Sequence, residues 1–386
     1  MSWLSTMDEE AAARAEVGLA RELRPRPAGD AMIDLAGNDY LGLAGHPDVI
    51  AAAAGALAAY GLGATGSRLV RGSTDLHAVL EEALAQHLQC DSALVYSSGY
   101  LANLGAIRAL VRPGTLVVSD AHNHASIVDG CRLACAGRLG RCGASTVVAP
   151  HADPAAVRSI LAAHPGRPAV VVTESVFSVD GDLAPLRQLY EVSRQFGALL
   201  MVDDAHALGI RGASGAGAVV EAGLAGQPDV VVTATLSKSL GAAGGVVAGP
   251  AQLRRHLVDT GRTFIYDTAL PPAVAAGALA ALDLLRRGSE LRAVLAARSS
   301  LAVDRLRAAG LEVSTPDAGV ISVTAPSADA AYSWAKRCRE RGVAVGCFRP
   351  PSTPDGRSRL RLTINVGVPS RLFADALDTI VKEAVW

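Results

Sequence analysis

Between residues 46 and 260 the chain alternates short, unbroken apolar runs with amphipathic or alanine-rich stretches, and this alternation leaves few folds open. The runs at 94–96, 116–119, 146–149, 169–173, 198–203 and 230–233 are rich in β-branched and aliphatic residues and too short for helices. The stretches between them, including 75–88, 153–163 and 183–196, carry helical spacing. Strands without a polar face must be covered on both sides, which predicts an α/β fold with a mostly parallel sheet between helices. A helical region runs from about 270 to 309, after which the pattern changes. Strands are expected at 320–324, 344–347 and 359–364, with helices at 328–341 and 370–384, which makes a smaller C-terminal α+β domain. The organisation expected is an N-terminal helix and arm (1–45), a large domain (46–260), connecting helices (261–309) and the small domain (310–386).

Charge and composition exclude several function classes. A net charge of −1 and an aromatic content of 4% offer neither the cationic surface nor the stacking platform of a nucleic-acid binder. The N-terminal stretch is acidic where a secretory signal needs positive charge, and no apolar run reaches membrane-spanning length. A cytoplasmic protein with no membrane or nucleic-acid partner is expected. Six cysteines are sparse for this length, and Cys131, Cys135 and Cys142 lack the paired C-x₂-C knuckles of a zinc site, so no metal is expected.

Lysine is the informative residue. Of 36 basic side chains, only Lys238, Lys336 and Lys382 are lysines, so arginine serves wherever a generic cation is enough. Arginine cannot replace a nucleophilic amine, because guanidinium stays protonated. Lys336 and Lys382 read as solvated charges on helices, whereas Lys238 follows a strand in T-L-S-K-S-L-G. Other strands also end in polar residues: Ser97-Ser98-Gly99, Ser119-Asp120, Thr173-Glu174-Ser175 and Asp203-Asp204-Ala205-His206. Ligands of open parallel sheets collect beyond such carboxyl ends. A Schiff-base lysine that supports carbanion chemistry needs an electron sink, which pyridoxal 5′-phosphate provides. Asp203 is placed to pair with a protonated ring nitrogen, and His206, three residues on, to reach the ring oxygen. Ser98-Gly99-Tyr100 enters a helix whose first amides suit a phosphate, with Thr235 and Ser237 as further hydroxyls. Gly61–Gly66 spells the G-x-G-x-x-G dinucleotide fingerprint, but it follows a helical stretch rather than a strand and reads as a loop.

The segments N-D-Y-L-G-L (38–43), G-A-T-G-S-R-L-V-R-G (63–72), S-S-G-Y-L-A-N (97–103), H-A-S (124–126), E-S-V-F-S-V-D-G-D (174–182), D-D-A-H (203–206), T-L-S-K (235–238) and R-P-P-S-T-P (349–354) run in order through nearly the whole chain. As a set they resemble the α-oxoamine synthases. The resemblance implies a fold-type-I PLP-dependent transferase and a homodimer with shared active sites. It makes Lys238 the Schiff-base lysine and proton shuttle, pairs Asp203 with the pyridine nitrogen and His206 with the ring oxygen, and stacks His124 on the ring. It further places Gly99, Tyr100 and Thr235 near the phosphate, Ser178 at the ring oxygen, and Asn38 and Arg361 at the amino acid carboxylate. Arg359 shares a strand with Arg361, and only one of the two is expected to face the site. Ser352 stands where the family has threonine, and an arm arginine, Arg21 or Arg24, would meet the acyl chain.

Within the family the motifs lie nearest to members that join L-alanine to a pimeloyl thioester in biotin biosynthesis. The sister activity on glycine and acetyl-CoA shares every cofactor contact and is the main alternative. A dinucleotide-dependent oxidoreductase resting on Gly61–Gly66 is a remote one, since it leaves Lys238 and D-D-A-H unexplained.

Overall fold

A computed structural model describes residues 2–136, 143–353 and 355–384. The chain opens with α1 (Trp3–Glu16) and β1 (Ile33–Leu35). Next come α2 (Pro47–Tyr60), α3 (Asp75–His87), β2 (Ser92–Tyr96), α4 (Gly99–Leu110), β3 (Leu116–Asp120), α5 (Ala125–Ala136) and β4 (Ser145–Ala149). They are followed by α6 (Pro154–Ala162), β5 (Ala169–Glu174), α7 (Leu186–Gln195), β6 (Leu199–Asp203), α8 (Ala218–Glu221) and β7 (Val230–Thr235). The chain continues through β8 (Gly245–Gly249), α9 (Ala251–Thr260), α10 (Arg262–Ile265), α11 (Pro272–Arg287) and α12 (Ser289–Ala308). It closes with β9 (Val320–Thr324), α13 (Ala328–Glu340), β10 (Val343–Phe348), β11 (Arg359–Thr363) and α14 (Ser370–Lys382).

The residues fall into two compact units, one made of 38–178 and 182–295, the other of 1–37, 179–181 and 296–386. In the larger unit a seven-stranded sheet has the order β2-β8-β7-β6-β5-β3-β4. Its strands are parallel except β8, which runs antiparallel to both β2 and β7. Every residue of β5 and β7 is buried, as expected for strands covered on both faces. One layer of core packs Ala102, Ala106 and Ile107 of α4 and Ile127 of α5 against Val117, Val172, Met201 and Val231 of the sheet.

Two features of this unit differ from the sequence expectation or refine it. The run Gly245–Gly249 is a seventh strand that the apolar pattern did not reveal. Its glycines are needed, because a Cβ on Gly245 would lie 2.4 Å from the Ser98 carbonyl oxygen. Gly61–Gly66 follows α2 and leads into a π-helical turn, Arg68–Gly72, so no strand precedes the fingerprint.

In the smaller unit the sheet order is β1-β10-β11-β9, with β1 parallel to β10 and the other pairs antiparallel. The three-residue strand β1 lies inside what the sequence presents as an arm. Among the described residues no helix is long and apolar enough to cross a membrane, and no His, Cys, Asp or Glu cluster could hold a metal ion. Cys142 and Pro354 lie outside the described residues.

Candidate active site

The chemistry-bearing side chains of the larger unit gather at the carboxyl ends of β5, β6 and β7 and the start of α4. Lys238, three residues beyond β7, places Nζ 2.7 Å from Nε2 of His206. His206 Nδ1 in turn lies 2.7 Å from the hydroxyl of Tyr40, and both residues are buried. With Lys238 as the ammonium donor, Nε2 accepts and the Nδ1–H donates to the tyrosine oxygen, which fixes the tautomer. The amine is thus held against the His206 imidazole.

Asp203 closes β6, nearly buried, and both of its oxygens accept hydrogen bonds. Asn103 Nδ2 donates to Oδ2 at 2.7 Å, and the Ala205 amide donates to Oδ1 at 3.0 Å. These two donors fix the orientation of the carboxyl group. Asn103 is itself oriented by Thr233, whose hydroxyl donates to its Oδ1 at 2.6 Å. The same amide nitrogen donates to Ser126 Oγ at 2.9 Å, and Ser126 Oγ lies 2.8 Å from His124 Nδ1. His124 Nδ1 also accepts from the Ser126 amide at 3.2 Å, so the lone pair is on Nδ1 and the ring proton on Nε2. One buried asparagine therefore orients Asp203 on β6 and, through Ser126, His124 at the head of α5.

The turn into α4 is tightly packed. Ser98 caps the helix by accepting from the Leu101 amide at 3.2 Å, and Gly99 and Tyr100 occupy the first turn, where helix amides lack intrahelical partners. A Cβ on Gly99 would come within 3.0 Å of Thr235 Cβ, and one on Gly245 within 2.7 Å of Gly99 Cα. Thr235 donates to the Gly244 carbonyl at 2.9 Å and shares a 2.7 Å contact with Ser237. Backbone amides, two hydroxyls and glycines thus form a cradle of phosphate-binding character. Tyr100 is partly exposed and donates to Asp129 at 2.5 Å.

Ser178 sits in the loop after β5, where its amide donates to Glu174 Oε2 at 3.1 Å. Asn38 lies two residues before Tyr40 and accepts from its amide at 2.9 Å. Close by in sequence to these elements, His151 is bracketed by Asp120 (3.0 Å) and Asp182 (2.8 Å) and stacks on His122 at 3.8 Å between ring centroids. Burial alone would lower its pKa, but the two carboxylates outweigh it and raise the imidazole to about 9.

In the smaller unit Arg361 is buried on β11 with its guanidinium 4.6 Å from the centre of the Phe348 ring. The expectation that only one of Arg359 and Arg361 turns one way is corrected here, since residues two apart in a strand share a face. Their partners distinguish them: Arg359 is held by Asp180 at 2.9 Å and by Asp355 at 2.5 Å. Arg21 donates to Ser352 Oγ at 3.2 Å, so the structure joins these two residues. Arg24 is engaged by Glu22 at 2.7 Å and by the Tyr332 hydroxyl at 3.1 Å. Both arginines line a pocket of about 1050 Å³ together with Cys347, Arg349 and Ser352.

Sequence reasoning did not single out Tyr40, Asn103 or Ser126, and named Glu174 only among the polar residues at strand ends, without a role. All four stand inside the motifs that carry the family resemblance, so their signal was position in a motif rather than chemistry of their own.

The residues present fit pyridoxal 5′-phosphate: an amine for its aldehyde, an anchored carboxylate for its ring nitrogen and a helix start for its phosphate. Residues 30–380 match the family model for class I and II aminotransferases. The 8-amino-7-oxononanoate synthase of Mycolicibacterium gilvum is 52% identical over 98% of this chain and 97% of its own. Among solved structures, Sphingomonas wittichii serine palmitoyltransferase superposes with a TM-score of 0.91 at 31% identity, covering 99% of this chain and 98% of that one. A serine palmitoyltransferase from S. paucimobilis with a bound PLP–myriocin aldimine gives 0.90 at 29% identity, with coverage of 99% and 98%. The architecture is that of fold-type-I enzymes and the cofactor is pyridoxal 5′-phosphate. The chain belongs to the class I and II aminotransferase family and, within it, to the 8-amino-7-oxononanoate synthases, PLP-dependent acyltransferases of biotin biosynthesis.

Proposed function

We propose that the chain condenses L-alanine with a pimeloyl thioester, with loss of CO₂ and release of the thiol carrier, and that Lys238 is its proton-transfer group. The observation that carries this reading is the pair of hydrogen-bonded chains Lys238–His206–Tyr40 and Asp203–Asn103–Ser126–His124, buried along their length and opening outward at Lys238 and His124. Pyridoxal phosphate, when bound, supplies the electron sink for a negative charge developing at the α-carbon. Lys238 takes the α-proton of alanine and later returns one. His206 and Tyr40 hold the lysine amine in place between these transfers. Asp203 keeps a fixed negative charge opposite the ring nitrogen, and Asn103 prevents it from turning away. His124, its Nδ1 committed to Ser126, would stack on the cofactor ring. Gly99, Tyr100 and Thr235 bind the phosphate, Ser178 the ring oxygen, and Asn38 and Arg361 the alanine carboxylate.

The acyl chain ends in a carboxylate, which is costly to desolvate without a cation. Arg21 is assigned to it, beside Ser352, because Arg24 is already bound to Glu22 and Tyr332. A homodimer with shared active sites is supported by exposed apolar side chains on the larger unit. Leu62, Val70 and Tyr266 are 82%, 83% and 70% exposed, and the Ser67–Thr268 bridge draws their two segments together.

The deciding experiment is a product assay of the purified enzyme with alanine, glycine or serine against pimeloyl-, acetyl- or palmitoyl-CoA. Alanine with pimeloyl-CoA is expected to give 8-amino-7-oxononanoate at the highest kcat/KM. A preference for glycine with acetyl-CoA, or serine with palmitoyl-CoA, overturns the reading. In the same assay Arg21→Ala raises the pimeloyl KM about tenfold while Arg24→Ala changes it less. Equal, small effects on both remove Arg21 from acyl recognition.

A further inference from the structure

Glu174 is the last residue of β5 and lies in register with Asp203, the last residue of β6. Partners in register on parallel neighbours project from the same face, so two carboxyl groups stand side by side at the carboxyl end of the sheet. Glu174 is 2% exposed and Asp203 6%. Their hydrogen bonding is unequal. Asp203 takes a side-chain amide on one oxygen and a backbone amide on the other. Glu174 accepts from the Ser178 amide through Oε2, while its Oε1 is buried with no partner. Two adjacent buried carboxyls cannot both ionise without a large electrostatic cost. The donors favour the charge on Asp203, which leaves Glu174 as the member that keeps a proton.

We propose that Glu174 is a positioning residue that stays neutral at neutral pH, so that the ends of β5 and β6 carry a single negative charge and that charge resides on Asp203. The groups that bear on it from the surrounding elements are Asp203 on β6, Lys238 beyond β7, and the His124 amide at the head of α5. Burial raises its pKa most and the Asp203 charge adds to this, while Lys238 and the His124 and Ser178 amides oppose them, bringing the carboxyl to about 8. Ionisation of Glu174 would place a second anion beside Asp203 and draw the Lys238 ammonium away from His206. The alkaline failure of the site is therefore set by Glu174. This rests on the assignment of Asp203 to the cofactor's ring nitrogen for its effect on turnover, but the protonation itself is tested without cofactor.

In carbon-13 spectra of wild-type apo-protein labelled at glutamate carboxyls, one resonance should keep the shift of a protonated acid at neutral pH and titrate near 8. It should vanish in Glu174→Gln, the isostere of the neutral form. Because the folded pKa exceeds the ordinary carboxyl value of about 4.3, the native state holds the extra proton and wild-type stability falls as pH rises between the two values. The melting temperature of apo Glu174→Gln should therefore gain on wild type across that interval, by at least about 3 °C. With cofactor bound, Glu174→Gln should turn over within about threefold of wild type at neutral pH and lose the alkaline decline. Glu174→Ala, which strands the Ser178 amide, should lose about ten- to hundredfold. A wild-type spectrum with every glutamate ionised at neutral pH, or a stability difference that does not vary with pH, overturns the proposal. Correct protonation with an unchanged alkaline limb in Glu174→Gln would instead overturn its coupling to Asp203 and turnover.

Discussion

Lys238 is the one lysine of three that stands at a strand end, and its substitution separates chemistry from charge. Lys238→Arg keeps the cation and most of the length but cannot bond covalently to a carbonyl. Its product formation is expected to fall below detection, with a melting temperature within about 3 °C of wild type. Full loss of the borohydride-sensitive visible band should accompany this, while Lys336→Arg and Lys382→Arg leave both measurements unchanged. His151 makes a different prediction, about stability. Its folded pKa of about 9 exceeds the ordinary imidazole value of about 6.5, so its contribution is complete below the lower value and disappears as pH rises through the upper one. Denaturation of wild type and His151→Gln should differ by on the order of 2 kcal/mol at pH 6 and converge above pH 9. A gap that stays constant with pH would assign His151 to packing alone. Lys238 was legible in the sequence because lysine is scarce and arginine cannot perform its chemistry. Asn103 and Glu174 were not, because a polar residue acquires this kind of role only from which neighbours the fold buries beside it.

At the level of elements, the parallel strands were legible because each is an apolar run flanked by helical spacing. Strand β8 was not. Its five residues, G-V-V-A-G, begin on a glycine that directly follows another, a pattern that otherwise signals a turn. Those glycines exist for the contact with the α4 turn, which only the paired sheet reveals. Gly245→Ala forces a methyl against the Ser98 carbonyl and Gly99 Cα, both rigid backbone. The expected result is a loss of about 1–3 kcal/mol of stability. Titration followed by absorbance should also show weakened cofactor affinity, since the displaced turn is the one assigned to the phosphate. Unchanged affinity in a destabilised protein would detach the turn from that role. Strand β1 escaped notice for another reason: three residues cannot display a period, and its pairing partner lies some three hundred residues away in β10.

For the molecule as a whole, the exposed apolar side chains near Leu62 and Val70 predict association of two copies. A Leu62→Asp, Val70→Asp double variant should elute as a monomer by light-scattering chromatography and lose most of its turnover. A fully active monomer would show that each chain completes its own site. The division of the chain into units also has a consequence for its synthesis. Residues 38–295 contain the whole of the larger unit and emerge as one stretch, whereas the smaller unit needs segments from both sides of it. Strand β1 leaves the ribosome first, yet β10 is made close to last. A three-residue piece from the middle, 179–181, belongs with the late-made segment too: Asp180 accepts from Ser322 at 2.5 Å and pairs with Arg359. During translation the first 37 residues and this internal finger must therefore wait, unpaired, until the final ninety residues arrive. The nascent chain exposes its N-terminal strand for almost the whole of its elongation, and that interval, rather than the finished fold, is when the protein is most open to misassociation and to chaperones.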